Sequence, residues 1–187
     1  MRYINEGLLK IEELEGLADD KIYIIRDIAE RNHEGEKTMD DYEKFEIECE
    51  KIRQDNEGYL NRFSNWLNKS KLSKKTINKH ISNIDFYIND YLLYDDSIEA
   101  KDGADAIGMF LGYWFIRKAM WSSKATIKSN ATSLKKFYTF MEEENLINNI
   151  ELNKLNETIK EDMPQWLATM DRYDNITIDD IEDVWDD

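Results

Sequence analysis

The chain has 187 residues, 41% hydrophobic and 12% aromatic, with five Trp and ten Tyr; that is enough apolar material for a real core and not the composition of a disordered chain. One cysteine, Cys49, excludes an intramolecular disulfide framework, and with no secretory leader recognisable it points to a reducing cytoplasm. The net charge of −15, taken as a total, opposes nucleic acid and anionic membranes as partners.

One Pro and seven Gly leave few helix breakers, so an all-α chain with short connections is expected. Ile4, Leu8, Ile11 and Leu14 recur at helical spacing, and Ile22, Ile25, Ile28 and Ala29 form a second stripe. After a polar break, Thr38 is placed as an N-cap, with Tyr42, Phe45, Cys49 and Ile52 along one helical face. A weak break at residues 56–58 precedes a helix that turns Leu60, Phe63, Trp66 and Leu67 inward.

The middle of the chain repeats itself. Ser73-Lys74-Lys75-Thr76-Ile77 returns fifty residues later as Ser123-Lys124-Ala125-Thr126-Ile127. Beyond the motif, Ile81, Ile84 and Tyr87 match Ala131, Leu134 and Phe137, while Ser82 and Asn83 match Thr132 and Ser133. Ser73 and Ser123 are placed as N-caps, whose hydroxyls accept from free backbone N–H groups. The apolar stripes 77, 81, 84, 88 and 127, 131, 134, 138 each give one continuous face. Each copy follows an aromatic-rich helix, residues 60–68 and 104–119, so two stacked helical hairpins are expected, joined by a polar loop over 95–105. The apolar run 107–116 is far short of the roughly 20 residues of a membrane span and reads as a buried helix. Further on, 151–160 reads as a short helix, Pro164 as the first turn of another over 165–172, and Thr177 as the cap of a final acidic turn.

Charge is segregated along this order. Residues 1–59 carry −9, residues 60–141 carry +6 and residues 142–187 carry −12. The expected organisation is an acidic helical segment 1–57, a four-helix domain 58–150 and an acidic C-terminal segment 151–187. The last segment is expected to be drawn to the basic middle and to compete there with other anions.

Two helical hairpins with basic helix starts, carried by Phe63, Trp66, Leu67, Leu72-Ser73-Lys74-Lys75-Thr76-Ile77 and Thr126-Ile127 through Leu134, Phe137, Tyr138 and Phe140, resemble the N-terminal core-binding (SAM-like) domain of tyrosine recombinases and phage integrases. Glu144-Asn145-Leu146-Ile147 resembles that family's exit from its fourth helix. The resemblance covers residues 58–150. It implies a domain that clamps duplex DNA while a separate domain, with Arg, Lys or His, His-x-x-Arg and a Tyr nucleophile, does the chemistry. Both histidines, His33 and His80, precede residue 150 and no His-x-x-Arg occurs. A non-catalytic relative is therefore expected, with no cofactor.

The candidate DNA-binding residues are Lys69, Lys71, Lys74, Lys75 and Lys79 around the first helix start, and Lys124, Lys128, Lys135 and Lys136 around the second. Helix N-termini and lysines both attract phosphate; the competing reading is two solvated faces that balance the acidic flanks. A protein-binding adaptor that uses those flanks and leaves DNA alone is the alternative function. His80 is expected to be a partly buried structural histidine, and Tyr113, Trp114, Phe115 and Trp121 to be core rather than a stacking platform for single strands. One Cys and two distant His do not make a structural zinc site, and the sequence holds neither Gly-x-Ser-x-Gly nor a Gly-rich phosphate loop.

Overall fold

A computed structural model of the chain describes residues 41–175 and 184–185. The expected helices over 4–14 and 22–29 and the caps at Thr38 and Thr177 lie outside them. The fold is all-α. Helix α1 spans Asp41–Asn68, α2 Lys74–Asp85, α3 Ile107–Met109, α4 Phe115–Lys118, α5 Lys124–Glu143 and α6 Asn149–Tyr173. A π-helical turn, π1, continues α2 over Phe86–Tyr91, a second, π2, joins α3 to α4 over Phe110–Trp114, and a 3-10 turn covers Gly103–Ala106. Among the described residues no helix is long and apolar enough to cross a membrane.

The chain divides into two compact units, Met1–Glu50 and Lys51–Asp187. Neither this division nor α1 respects the expected boundary at 57/58. The break expected at 56–58 does not form, because Asn56 is buried and its amide bonds the Ile88 carbonyl at 3.2 Å and Asn89 at 2.8 Å. Gly58 meets nothing within 4 Å of where a Cβ would stand, so the helix passes through it at the cost of glycine's flexibility alone.

The core of the second unit is built on the repeat. Ile77, Ile84 and Ile88 from the first copy and Ile127, Ala131, Leu134 and Tyr138 from the second are buried, with Ile81 half-buried. α2 and α5 pack on one another along these stripes. Phe63 of α1 closes the layer edge-on against Phe137, ring centres 5.3 Å apart. Each such side chain, fully buried, contributes about 1.5–3 kcal/mol.

The π-turns have no signature in the sequence. In each, a backbone N–H reaches back five residues, from Leu92 to the Tyr87 carbonyl and from Phe115 to that of Phe110. They bring Tyr87 and Tyr91 against Phe110 at 4.8 and 4.9 Å, and Tyr91 against Trp114 at 5.2 Å. The loop expected over 95–105 is tied down by two tyrosine hydroxyls, Tyr138 donating to the Ala100 carbonyl and Tyr87 to that of Gly103, and just beyond it Tyr91 donates to the Ala106 carbonyl.

α5 ends in a left-handed residue, Asn145 (φ 58°), with Leu146 N–H bonded to the Met141 carbonyl and Asn145 N–H to that of Glu142. This is the Schellman closure, with Asn where glycine is commonest. Three residues on, Asn148 and Glu151 form a reciprocal capping box that starts α6. Two helices were expected in this last segment, and α6 is one. Pro164 sits inside it, where it removes one N–H donor. Leu152, Leu155 and Ile159 before it and Trp166, Thr169 and Met170 after it are all buried, and that shared packing carries the helix across the gap. The segment expected to stand apart from 151 onward is thus part of the same core.

Candidate nucleic-acid interface

Both repeat caps form. Ser73 Oγ accepts from Thr76 N at 3.1 Å and Ser123 Oγ from Thr126 N at 3.2 Å. Each Thr hydroxyl then returns to its Ser oxygen, at 2.9 and 3.0 Å. The same three atoms are used twice, fifty residues apart, so the two basic helix starts share one capping arrangement, to which Thr126 Oγ1 adds contacts with the Trp121 and Ser123 carbonyls.

The two starts lie at opposite ends of one helix pair. His80 meets Ser133, Asn83 meets Ser129, and Phe86 meets Trp121. As one chain advances the other retreats, so α2 and α5 run in opposite senses. Lys74 and Lys75 therefore stand at one end, and Lys124 stands near the other, about 18 Å away for a twelve-residue helix. Lys79 follows Lys75 by one turn. Lys128 precedes Lys135 by two turns and so shares its face. Lys69 and Lys71 occupy the turn before α2. Lys69, Lys71, Lys74, Lys75, Lys79, Lys124 and Lys128 are exposed, whereas Lys135 and Lys136 are half-buried.

Between the two rows runs a polar seam. Asn83 Nδ2 donates to Ser129 Oγ at 3.1 Å and to Ser133 Oγ at 2.9 Å. Ser133 Oγ donates its one hydrogen to the Ser129 carbonyl at 2.9 Å. His80 Nδ1, 2.8 Å from the same oxygen, must then be the donor, which fixes the neutral tautomer with hydrogen on Nδ1. Burial, with the positive charge of Lys136 and Lys79 adding to it, holds the His80 imidazole below its usual pKa. His80 is thus structural, as the sequence implies.

The acidic residues from 142 onward reach the basic middle at named points. Lys124 pairs with Asp171 of α6 at 2.5 Å, Arg62 with Glu144 at 3.1 Å, and Trp66 Nε1 donates to Glu143 at 2.6 Å. Among the described residues, the other eight candidate lysines have no carboxylate within ion-pairing distance.

Phe115 is core, as expected, and Tyr113 and Trp114 are half-buried. Trp121 is not core: it is 59% exposed, because the turn between α4 and α5 throws it outward against Phe86 instead of into the helix stack. Helical periodicity misses it, since it lies beyond the end of the helix that the spacing marks. The polar seam was missed as well; its one signal is that Asn83 and Ser133 hold equivalent places in the repeat.

Comparison with known protein families, curated proteins and solved structures finds no match to this chain.

Proposed function

We propose that the protein is a non-catalytic DNA-binding module that holds duplex DNA by its backbone against the α2–α5 pair, in the manner of the recombinase core-binding domains its middle segment resembles. The observation that carries this reading is uncompensated positive charge. In a chain with 40 acidic and 25 basic side chains, eight lysines on or beside two antiparallel helices have no carboxylate partner among the described residues. Residues 60–141 carry +6 between flanks of −9 and −12, so positive charge is concentrated on this segment, and phosphates would neutralise it from outside with release of counterions. The absence of His-x-x-Arg from the sequence and the engagement of His80 in the seam support a role without strand cleavage.

The test is titration of the full chain with a labelled duplex at several salt concentrations. Binding that weakens linearly with log salt is expected, with a slope of about −0.9 per phosphate contacted. Replacing Lys75, Lys79, Lys128 and Lys135 together by Gln should flatten that slope. No salt-sensitive binding would overturn the reading and favour the acidic protein-binding adaptor.

A further inference from the structure

The turn between α4 and α5 holds two exposed large apolar side chains, Met120 being the most exposed of the second unit, close in sequence to Arg117, Lys118 and Lys124. Met120 is 99% exposed and Trp121 59% exposed. The turn that carries them is well fixed. Ser122 N–H bonds the Ala119 carbonyl at 2.9 Å, Ser122 Oγ the Ile116 carbonyl at 3.1 Å, and Thr126 Oγ1 the Trp121 carbonyl at 3.2 Å. Two apolar side chains are therefore held in water by an ordered backbone, so contact with a ligand would not have to order the turn first.

Trp121 also ends a row of rings. Tyr94, Trp114, Phe86 and Trp121 follow one another at 5.5, 5.6 and 5.3 Å between centres. The inner two are half-buried, and the outer two, Tyr94 at 49% and Trp121, face solvent. Two cations end α4, just before the turn. Lys118 lies over the Tyr94 ring at 5.2 Å and Arg117 over Tyr113 at 5.7 Å, and neither has a carboxylate partner among the described residues. Lys124 opens α5 three residues after Trp121.

We infer that this turn is a nucleobase-stacking wedge: Trp121, with Met120 beside it, receives an unpaired or unstacked base while Arg117, Lys118 and the start of α5 hold the adjoining phosphates. An aromatic face next to cations matches a base joined to phosphate, and every base offers a π-face, so the contact would be tolerant of sequence. Apolar wedges of this kind, methionine included, enter between base steps that have been opened. A bilayer fits less well, because two side chains bury little apolar surface. The inference rests on the DNA-binding reading above and adds a base contact to its backbone contacts.

Full-length protein, with W121A, W121F and M120A variants, would be titrated with a duplex carrying one bulged 2-aminopurine and with its fully paired counterpart, alongside vesicles of phosphatidylserine. W121A should weaken binding to the bulged duplex about tenfold, with little change for the paired duplex and none in the salt slope. W121F should recover most of the loss, and M120A should give a smaller one. Quenching of the 2-aminopurine by wild type and not by W121A would report the stack itself. Wild-type affinity and quenching in W121A would overturn the wedge while leaving backbone binding in place. Loss of vesicle binding in W121A without an effect on DNA would overturn it in favour of a membrane contact. Failure of the wild type to bind either duplex would remove the DNA-binding reading, and the wedge with it.

Discussion

Asn83 donates a hydrogen bond to Ser133 at 2.9 Å, and the two residues occupy the same position in the fifty-residue repeat. Equivalent residues of two antiparallel helices touch where a local pseudo-twofold passes between them, as in a self-complementary interface. The repeat is therefore not two copies laid side by side but one helix pair that uses the same positions from both sides. Its two basic starts are consequently sent to opposite ends of the interface face.

Ser133 is the hub of that contact, since it accepts from Asn83 and His80 and donates to the Ser129 carbonyl. Ser133→Ala leaves the His80 Nδ1–H without its acceptor and Asn83 with Ser129 alone, and should cost about 1–3 kcal/mol. Asn83→Ala should cost about 1 kcal/mol, because its amide is only half-buried. The double variant should lose less than the sum, since both singles break the same bond. Urea unfolding of the four proteins would measure this; strict additivity would show that the two side chains are not energetically coupled.

His80 gives the fold a pH dependence whose sign follows from its environment. Its folded pKa lies below the unfolded value of about 6.5, chiefly through burial. Above that value both states are neutral and the seam is at full strength. As pH falls below it, the unfolded chain takes up a proton that the folded one resists, so stability is lost until the folded pKa is passed. Stability measured from pH 7 downward should therefore fall before carboxylate protonation begins, and His80→Gln should flatten that part of the curve. An unchanged slope in the variant would assign the loss to other groups.

The helix starts and apolar stripes are legible in the sequence because they depend on local rules. A serine three residues before a free N–H makes a cap wherever it stands, and Ile84 and Leu134 announce a buried face by spacing alone. What was illegible depends on partners distant in the chain. Gly58 and Pro164 are helix breakers by local preference, yet Asn56 and Trp166 are held by neighbours 32 residues away and more, and the helices run on. The π-turns likewise exist only where Phe86, Tyr91 and Phe110 meet. Of the interface, the lysines were readable as composition, but their division between the two ends of a helix pair was not.

Gly112 marks another of these distant dependences. A Cβ there would stand 2.7 Å from Trp166 Cδ1 and 2.8 Å from its Nε1, and the Gly112 carbonyl accepts from Trp185 Nε1 at 3.2 Å. Gly112→Ala must push a buried indole of α6 away from π2, and the expected cost is about 1–3 kcal/mol in spite of alanine's better helix propensity. Thermal unfolding of Gly112→Ala beside Gly58→Ala separates the effects: Gly58 has open space, so that variant should be neutral to stabilising. Equal stabilisation at both positions would show that α6 does not press on π2.

Among the described residues, Lys124 is the one candidate lysine paired with a carboxylate, that of Asp171 at 2.5 Å. Both side chains are about half-exposed or more, so the pair itself adds little to stability. Its effect is on binding: a phosphate that approaches the start of α5 must displace a carboxylate already there. Asp171→Asn should therefore leave unfolding nearly unchanged and strengthen DNA binding several-fold at low salt, the gain shrinking as salt screens exposed charges beyond about 8–10 Å. Lys124→Gln in the same chain should abolish the gain, because the freed cation is then absent. The sequence neighbours Asp174, Asp179, Asp180, Glu182, Asp183, Asp186 and Asp187 extend the same negative charge. Removal of residues 174–187 should raise affinity further, to about tenfold in all. That deletion also takes away Trp185, which rests against Tyr113 at 4.9 Å, and Val184, whose carbonyl accepts from Arg172 Nε at 2.6 Å. Some loss of stability is thus expected with it, and Asp171→Asn is the cleaner measure. Salt-independent affinity, equal in wild type, Asp171→Asn and the shortened chain, would show that the acidic segment does not compete for the basic helix start.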